Sequence, residues 1–166
     1  VSVEIRRIDS DTVENDGIGV LEGAHGILVA PGFGARGVKG KLRAIQYARE
    51  RKIPFLGICF GMQLACVEFA RDVCGLAEAM TSEVDETTPD PVIDFMPDQR
   101  NLEVYGGTMR LGTYACTLEP GTQAAKAYGE LEISERHRHR YVVNNRYRPI
   151  FEEHGMRFSG HHSIGK

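Results

Sequence analysis

The junction PFLGICFGMQL at residues 54–64 constrains this chain more than any other stretch. Residues 53–58 form an apolar run that reads as a strand. Cys59 then sits between Gly57 and Gly61, and helix-forming residues follow at once. This G-x-C-x-G arrangement is a thiol version of the nucleophile elbow, a sharp strand-to-helix turn that lifts one reactive side chain off the sheet edge. The glycines have a steric role, because so tight a turn leaves no room for Cβ atoms beside the nucleophile. A sulfur at a helix N-terminus is favoured as thiolate, since orphan N–H groups and the helix dipole stabilise negative charge there. A cysteine in an apolar stretch is more often a small buried hydrophobe, and Cys66, Cys74 and Cys116 read that way. For Cys59 the strand, the glycines and the following helix all point to a nucleophile instead.

The segments around the elbow repeat its order. Residues 1–8 alternate apolar and polar side chains (Val1, Val3, Ile5) and read as a strand, followed by a polar interruption over 9–15. Residues 26–30 form a short apolar run, read as a buried parallel strand, that ends in the loop PGFG at 31–34. Residues 41–52 read as a helix with Leu42, Ile45 and Ala48 on one stripe, and 62–73 as another with Leu64, Val67 and Ala70. Repeated strand–loop–helix order predicts an α/β fold, with a doubly wound, mostly parallel sheet and flanking helices. Ligands of such sheets bind beyond the carboxyl ends of the strands, where both the PGFG loop and Cys59 fall.

From residue 81 the pattern changes. Residues 81–90 are acidic and turn-rich, closed by Pro89 and Pro91; 106–112 and 114–118 read as short strands around glycine turns. Residues 134–145 carry a dense Glu-Arg-His-Arg-His-Arg-Tyr run, in which alternation puts Arg136, Arg138 and Arg140 on one face and His137 with His139 on the other. No repeat or linker divides the sequence, so one domain is expected over residues 1–166.

Composition narrows the partners. A net charge of −3 gives no electrostatic reason to expect nucleic acid or an anionic membrane. No apolar run approaches the roughly 20 residues of a membrane span, and the first residues do not read as a secretory signal. Four cysteines without a C-x-x-C pair fit reduced thiols in the cytoplasm. His137 and His139 have no carboxylate or cysteine at ligand spacing, so no metal is expected. A cysteine elbow beside a glycine loop suits acyl transfer, in which thiolate attacks a carbonyl and backbone N–H groups hold the oxyanion. One donor is the N–H of Phe60, the residue after the nucleophile. The other comes from Gly32 or Phe33, because Pro31 has no N–H.

Four motifs together resemble a known family. GICFGMQ at 57–63, PGFGARG at 31–37 with Gly40 and Lys41, GGTMRLG at 106–112 and ERHRHRY at 135–141 are similar to the class I glutamine amidotransferases, and among them to the glutaminase domain of CTP synthases. The first motif suits any class I member, and the last two are close to specific for the CTP synthases. The resemblance implies glutamine hydrolysis through a cysteinyl thioester, with the ammonia used to aminate UTP to CTP. By position, it makes Cys59 the nucleophile and places Gly32 and Phe60 at the oxyanion hole. Gly32, Phe60, Gly61, Met62 and Gln63 would contact glutamine. Glu83 would hold its α-amino group and Arg140 its α-carboxylate. A zwitterionic substrate calls for one anion and one cation, and a planar guanidinium matches a carboxylate.

The resemblance also implies L-glutamine and a synthase domain as partners, ATP and Mg²⁺ as requirements of that other domain, no cofactor in this one, and a homotetramer. Two departures stand out. Where the family commonly has Pro-Gly-Gly-Phe-Gly, this chain has Ala30-Pro31-Gly32-Phe33-Gly34, one N–H donor fewer. The family's histidine base and its orienting glutamate lie in a His-Pro-Glu motif, and none occurs in these 166 residues. The chain is therefore expected to be incomplete at both ends and to turn over little by itself, with 161–166 as a tail. Alternatives are another cysteine hydrolase of the same fold, such as a γ-glutamyl hydrolase, or a catalytically silent glutamine-binding module.

Overall fold

The apolar runs before the PGFG loop and before Cys59 become neighbouring strands in the computed structural model, which describes residues 2–95 and 109–162. Strand β1 (Ile27–Val29) pairs parallel with β2 (Phe55–Gly57), Ile27 opposite Phe55 and Val29 opposite Gly57. The two loops that follow these strands thus leave the same end of the pair. Helix α2 (Val38–Arg51) and helix α3 (Phe60–Asp72) connect and follow them. Their inward stripes close a core of Val29, Val38, Ile45, Phe60 and Leu64, with Ile27, Leu42 and Phe55 packed against it. A shorter helix, α1 (Ser10–Asn15), is N-capped by the Asp9 carboxylate and packs Val13 beside Leu21 and Ala44. Strand β3 (Met80–Thr81) runs parallel to β4 (Pro91–Phe95), with a register shift between Met80 and Thr81.

The chain divides into two compact units, Val1–Asp94 and Phe95–Lys166. The second is antiparallel where the first is parallel. Its β5 (Arg110–Leu118) pairs with β6 (Glu132–His139) on one side and with β8 (Gly160–His161) on the other. Helix α4 (Gln123–Tyr128) lies between β5 and β6 in sequence, capped by Thr122 and ended by Gly129 in the left-handed conformation. Strand β7 (Tyr141–Val143) and helix α5 (Arg148–Glu153) complete this unit, with Phe151 fully buried.

Four expectations need correction. Residues 2–8 form no strand: among the described residues nothing pairs with their backbone as a ladder, and Val3 and Ile5 are exposed. Alternation alone is a weak signal, because a strand draws its stability from its neighbours. The polar stretch over 9–15 is helix α1 rather than an interruption. Strands β1 and β2 bury one face only; Leu28 and Leu56, on the other, are 57% and 56% exposed. The expected pair of short strands around Gly112 is one nine-residue strand, β5, and Gly106 and Gly107 lie outside the described residues.

Candidate active site

The elbow is built from close backbone approaches. Cys59 adopts φ 53°, ψ −108°, and among the described residues only Lys52, which ends α2, is another non-glycine with positive φ. On one side, a Cβ at Gly57 would lie 2.6 Å from the Met62 nitrogen and 2.7 Å from the Gly61 carbonyl carbon. On the other, a Cβ at Gly61 would collide with the carbonyl oxygen of Val29 in β1. That same oxygen accepts a hydrogen bond from the Ile58 N–H at 3.0 Å, so the turn is stitched to the neighbouring strand. The Gln63 N–H donates to the Cys59 carbonyl at 3.0 Å and starts α3. Phe60 opens that helix, so its N–H has no carbonyl within the helix to bond and belongs to the positive end of the dipole.

Cys59 is half-buried and its side chain caps nothing. The other thiols lie in settings that suppress thiolate. Burial pushes the Cys66 thiol up to about 12 and also raises Cys74 and Cys116, the last with help from the Glu132 charge. Only the thiolate is a nucleophile, so these three are poor candidates at neutral pH.

The PGFG loop meets the elbow at Gly32. A Cβ there would lie 3.5 Å from Cδ1 of Phe60 and 3.4 Å from Nζ of Lys41. The Lys41 ammonium itself stands 5.2 Å from the centroid of the Phe60 ring. One residue on, Phe33 is 86% exposed. At the next, the Gly34 N–H donates to Oε1 of Glu83 at 3.0 Å. Glu83 is held in turn by a tight turn after β3, where Thr81 Oγ1 accepts from the Glu83 N–H and Thr81 O from the Val84 N–H. The far end of the loop is tied to α1 through Arg36, whose Nε and Nη2 both donate to Asp11 Oδ2.

Cys59, Phe60, Gly61, Met62 and Gln63 thus follow one another through the elbow, Gly32 stands against Phe60, and Glu83 is bonded to the loop that carries Gly32. Met62 is partly exposed, whereas Gln63 is buried. The Lys41 and Gly34 contacts were not legible as site features; Lys41 carries a motif position, but only the packed helix shows it over Phe60.

Arg140 belongs to the second unit. It is half-buried at a bend between β6 and β7. His139 Nδ1 lies 3.0 Å from the Tyr141 carbonyl oxygen, and His139 Nε2 lies 2.9 Å from His137 Nδ1. Burial holds both imidazoles below their ordinary range, and the Arg110 guanidinium lowers them further. His161 is in β8 opposite Thr117, 3.6 Å from Glu119, and His162 Nδ1 bonds the Ala115 carbonyl; residues 163–166 lie outside the described residues. Among the described residues no three His, Cys, Asp or Glu side chains gather as a metal site. No described helix is long and apolar enough to cross a membrane.

The chain matches known proteins over nearly its whole length. The family profile described as "Glutamine amidotransferase class-I" matches residues 1–166. The chain is 56% identical over 163 residues to a CTP synthase of Prosthecochloris aestuarii, covering 96% of this chain and 29% of that protein. It is 57% identical over 159 residues to a CTP synthase of Geobacillus kaustophilus, covering 95% and 30%. The chain therefore spans less than a third of the length of these relatives. Among solved structures, the glutaminase domain of Trypanosoma brucei CTPS with bound acivicin superposes with a TM-score of 0.89 at 36% identity. That match covers 96% of this chain and 62% of the other.

Proposed function

The chain belongs to the class I glutamine amidotransferases, and on that premise we propose that it is the glutamine-hydrolysing part of a CTP synthase. The Cys59 thiolate attacks the side-chain carboxamide carbon of glutamine, and the C=O electron pair moves onto oxygen. The N–H groups of Phe60 and Gly32 stabilise that oxyanion. Collapse of the adduct expels ammonia and leaves a γ-glutamyl thioester on Cys59, which water hydrolyses to glutamate. Glu83 holds the α-ammonium group with the carboxylate oxygen not engaged by Gly34, and Arg140 pairs with the α-carboxylate. The leaving amine must gain a proton. In the family that proton comes from the histidine of a His-Pro-Glu motif, which these 166 residues do not contain.

The single observation that carries this reading is the conformation of Cys59, at φ 53° between two glycines that have backbone where their Cβ atoms would be. A cysteine kept there for packing alone gains nothing from such a backbone, whereas an exposed nucleophile does. Relatives named CTP synthase support UTP as the acceptor of the ammonia, in a synthase domain that uses ATP and Mg²⁺. The family resemblance implies a cytoplasmic homotetramer as the working assembly. The test is glutamine-dependent ammonia release by the full-length protein. Cys59→Ala abolishes it on this reading, and release that continues in that variant removes Cys59 from the mechanism.

A further inference from the structure

We propose that His139 is a positioning residue that fixes Arg140 for the substrate carboxylate, through a side-chain bridge to the carbonyl on the far side of Arg140. The inference rests on the reading of Arg140 as the α-carboxylate anchor. Its own basis is the geometry on either side of that arginine.

The β5–β6 ladder ends with His139 opposite Arg110. Beyond it, Arg140 sits at a bend before β7 starts at Tyr141, so this ladder no longer sets its backbone. At that point His139 Nδ1 reaches the Tyr141 carbonyl oxygen at 3.0 Å, closing a local ring that spans Arg140. A carbonyl only accepts, so His139 carries its hydrogen on Nδ1. The other nitrogen, Nε2, is then a lone pair in the neutral ring, and it faces His137 Nδ1 at 2.9 Å. His137 must therefore donate. A directed chain runs from His137 Nδ1–H to His139 Nε2, and from His139 Nδ1–H to the Tyr141 carbonyl.

The Arg110 guanidinium beside the pair favours neutral rings over protonated ones. Facing the pair are Arg110 and Tyr114 from β5, Glu135 from β6 and His162 after β8. The Tyr114 ring stands edge-on to both His137 and His162, and Arg110 lies over it. Gly112 is opposite His137 in the ladder. Among the described residues Glu135 is the carboxylate facing the pair, and it also accepts from the Tyr128 hydroxyl at 2.6 Å. The outward face of β6 carries Arg136 and Arg138, exposed.

Steady-state glutaminase kinetics of the full-length enzyme test the inference. His139→Phe keeps a ring and loses both hydrogen bonds. It is expected to raise KM for glutamine about tenfold, the scale of one lost hydrogen bond, with kcat within about twofold. His139→Asn puts an amide N–H where Nδ1 was and restores KM, whereas His139→Gln, whose amide reaches the Nε2 position, does not. Arg140→Ala raises KM by itself, and adding His139→Phe to it changes nothing further. If Arg140→Ala raises KM while His139→Phe does not, the positioning role is wrong and the Arg140 reading stands. If Arg140→Ala leaves KM unchanged, the carboxylate reading fails instead. A fall in kcat at unchanged KM, or equal KM for the Asn and Gln variants, makes His139 merely structural. The Asn–Gln comparison decides the matter even where His139→Phe does not fold.

Discussion

Cys59 holds a backbone conformation that suits glycine, and the surrounding structure pays for it. Its N–H and C=O neighbours are fixed by the Ile58–Val29 and Gln63–Cys59 hydrogen bonds, so the residue has no freedom to relax. Strain of this kind costs about 1–3 kcal/mol. Replacing the nucleophile should release part of it only when the replacement lacks a Cβ. Cys59→Gly is therefore expected to be more stable to urea than Cys59→Ala, by about 1 kcal/mol after the entropy of an added glycine is set against it. Equal stability, or an advantage for alanine, contradicts a strained elbow. The elbow was legible in the sequence because its constraint is local: both glycines and the cysteine fall within five residues. The Gly34–Glu83 bond was not, because it joins residues 49 apart and nothing in either segment names the other. Glu83 was reached only through the family resemblance.

At the scale of elements, α2 and α3 are joined by an ion pair that the apolar stripes did not announce. Glu68 points inward with its side chain 4% exposed, and Arg49 Nε bonds its Oε1 at 2.8 Å. Burial raises the Glu68 carboxyl, Arg49 pulls it back down, and the nearby Asp72 adds to the rise. Removing one partner leaves a buried charge uncompensated. Arg49→Met should cost about 3 kcal/mol, at the low end for buried pairs because Arg49 is partly exposed, and Arg49→Met with Glu68→Met should recover most of that. Chemical denaturation of the three proteins checks it; a double variant as unstable as the single one contradicts the account. The β5–β6 pairing makes a second prediction. His137 and His139 titrate below their ordinary value near about 6.5 when folded. Below that pH the unfolded chain binds more protons than the folded one, so stability is full above it and falls as pH drops toward the folded values. Thermal melting between pH 7.5 and 5 should show that fall, and His139→Asn should make it shallower. The alternation in 134–145 foretold that His137 and His139 share a face opposite Arg136 and Arg138, but not that Arg140 leaves the strand at a bend, nor that the two histidines bond each other. The strand expected over 1–8 failed for the opposite reason: a pattern was present and a pairing partner was not.

Across the whole molecule, the parallel βα order of the first unit and its glycine-lined turn are those of the class I amidotransferases, and the match to the family runs the length of the chain. The proposed function rests on fewer residues than the fold does. The thiol, two N–H groups and one carboxylate lie on or beside the loops after β1, β2 and β3, and a guanidinium lies after β6. The central claim is that Cys59 alone, among four cysteines, is acylated by glutamine. The most direct measurement is labelling of the full-length protein with a diazoketone analogue of glutamine, followed by peptide mass spectrometry. The account predicts one adduct, on Cys59, prevented by excess glutamine and absent in Cys59→Ala. An adduct on Cys66, Cys74 or Cys116, labelling that glutamine does not prevent, or no adduct at all contradicts it.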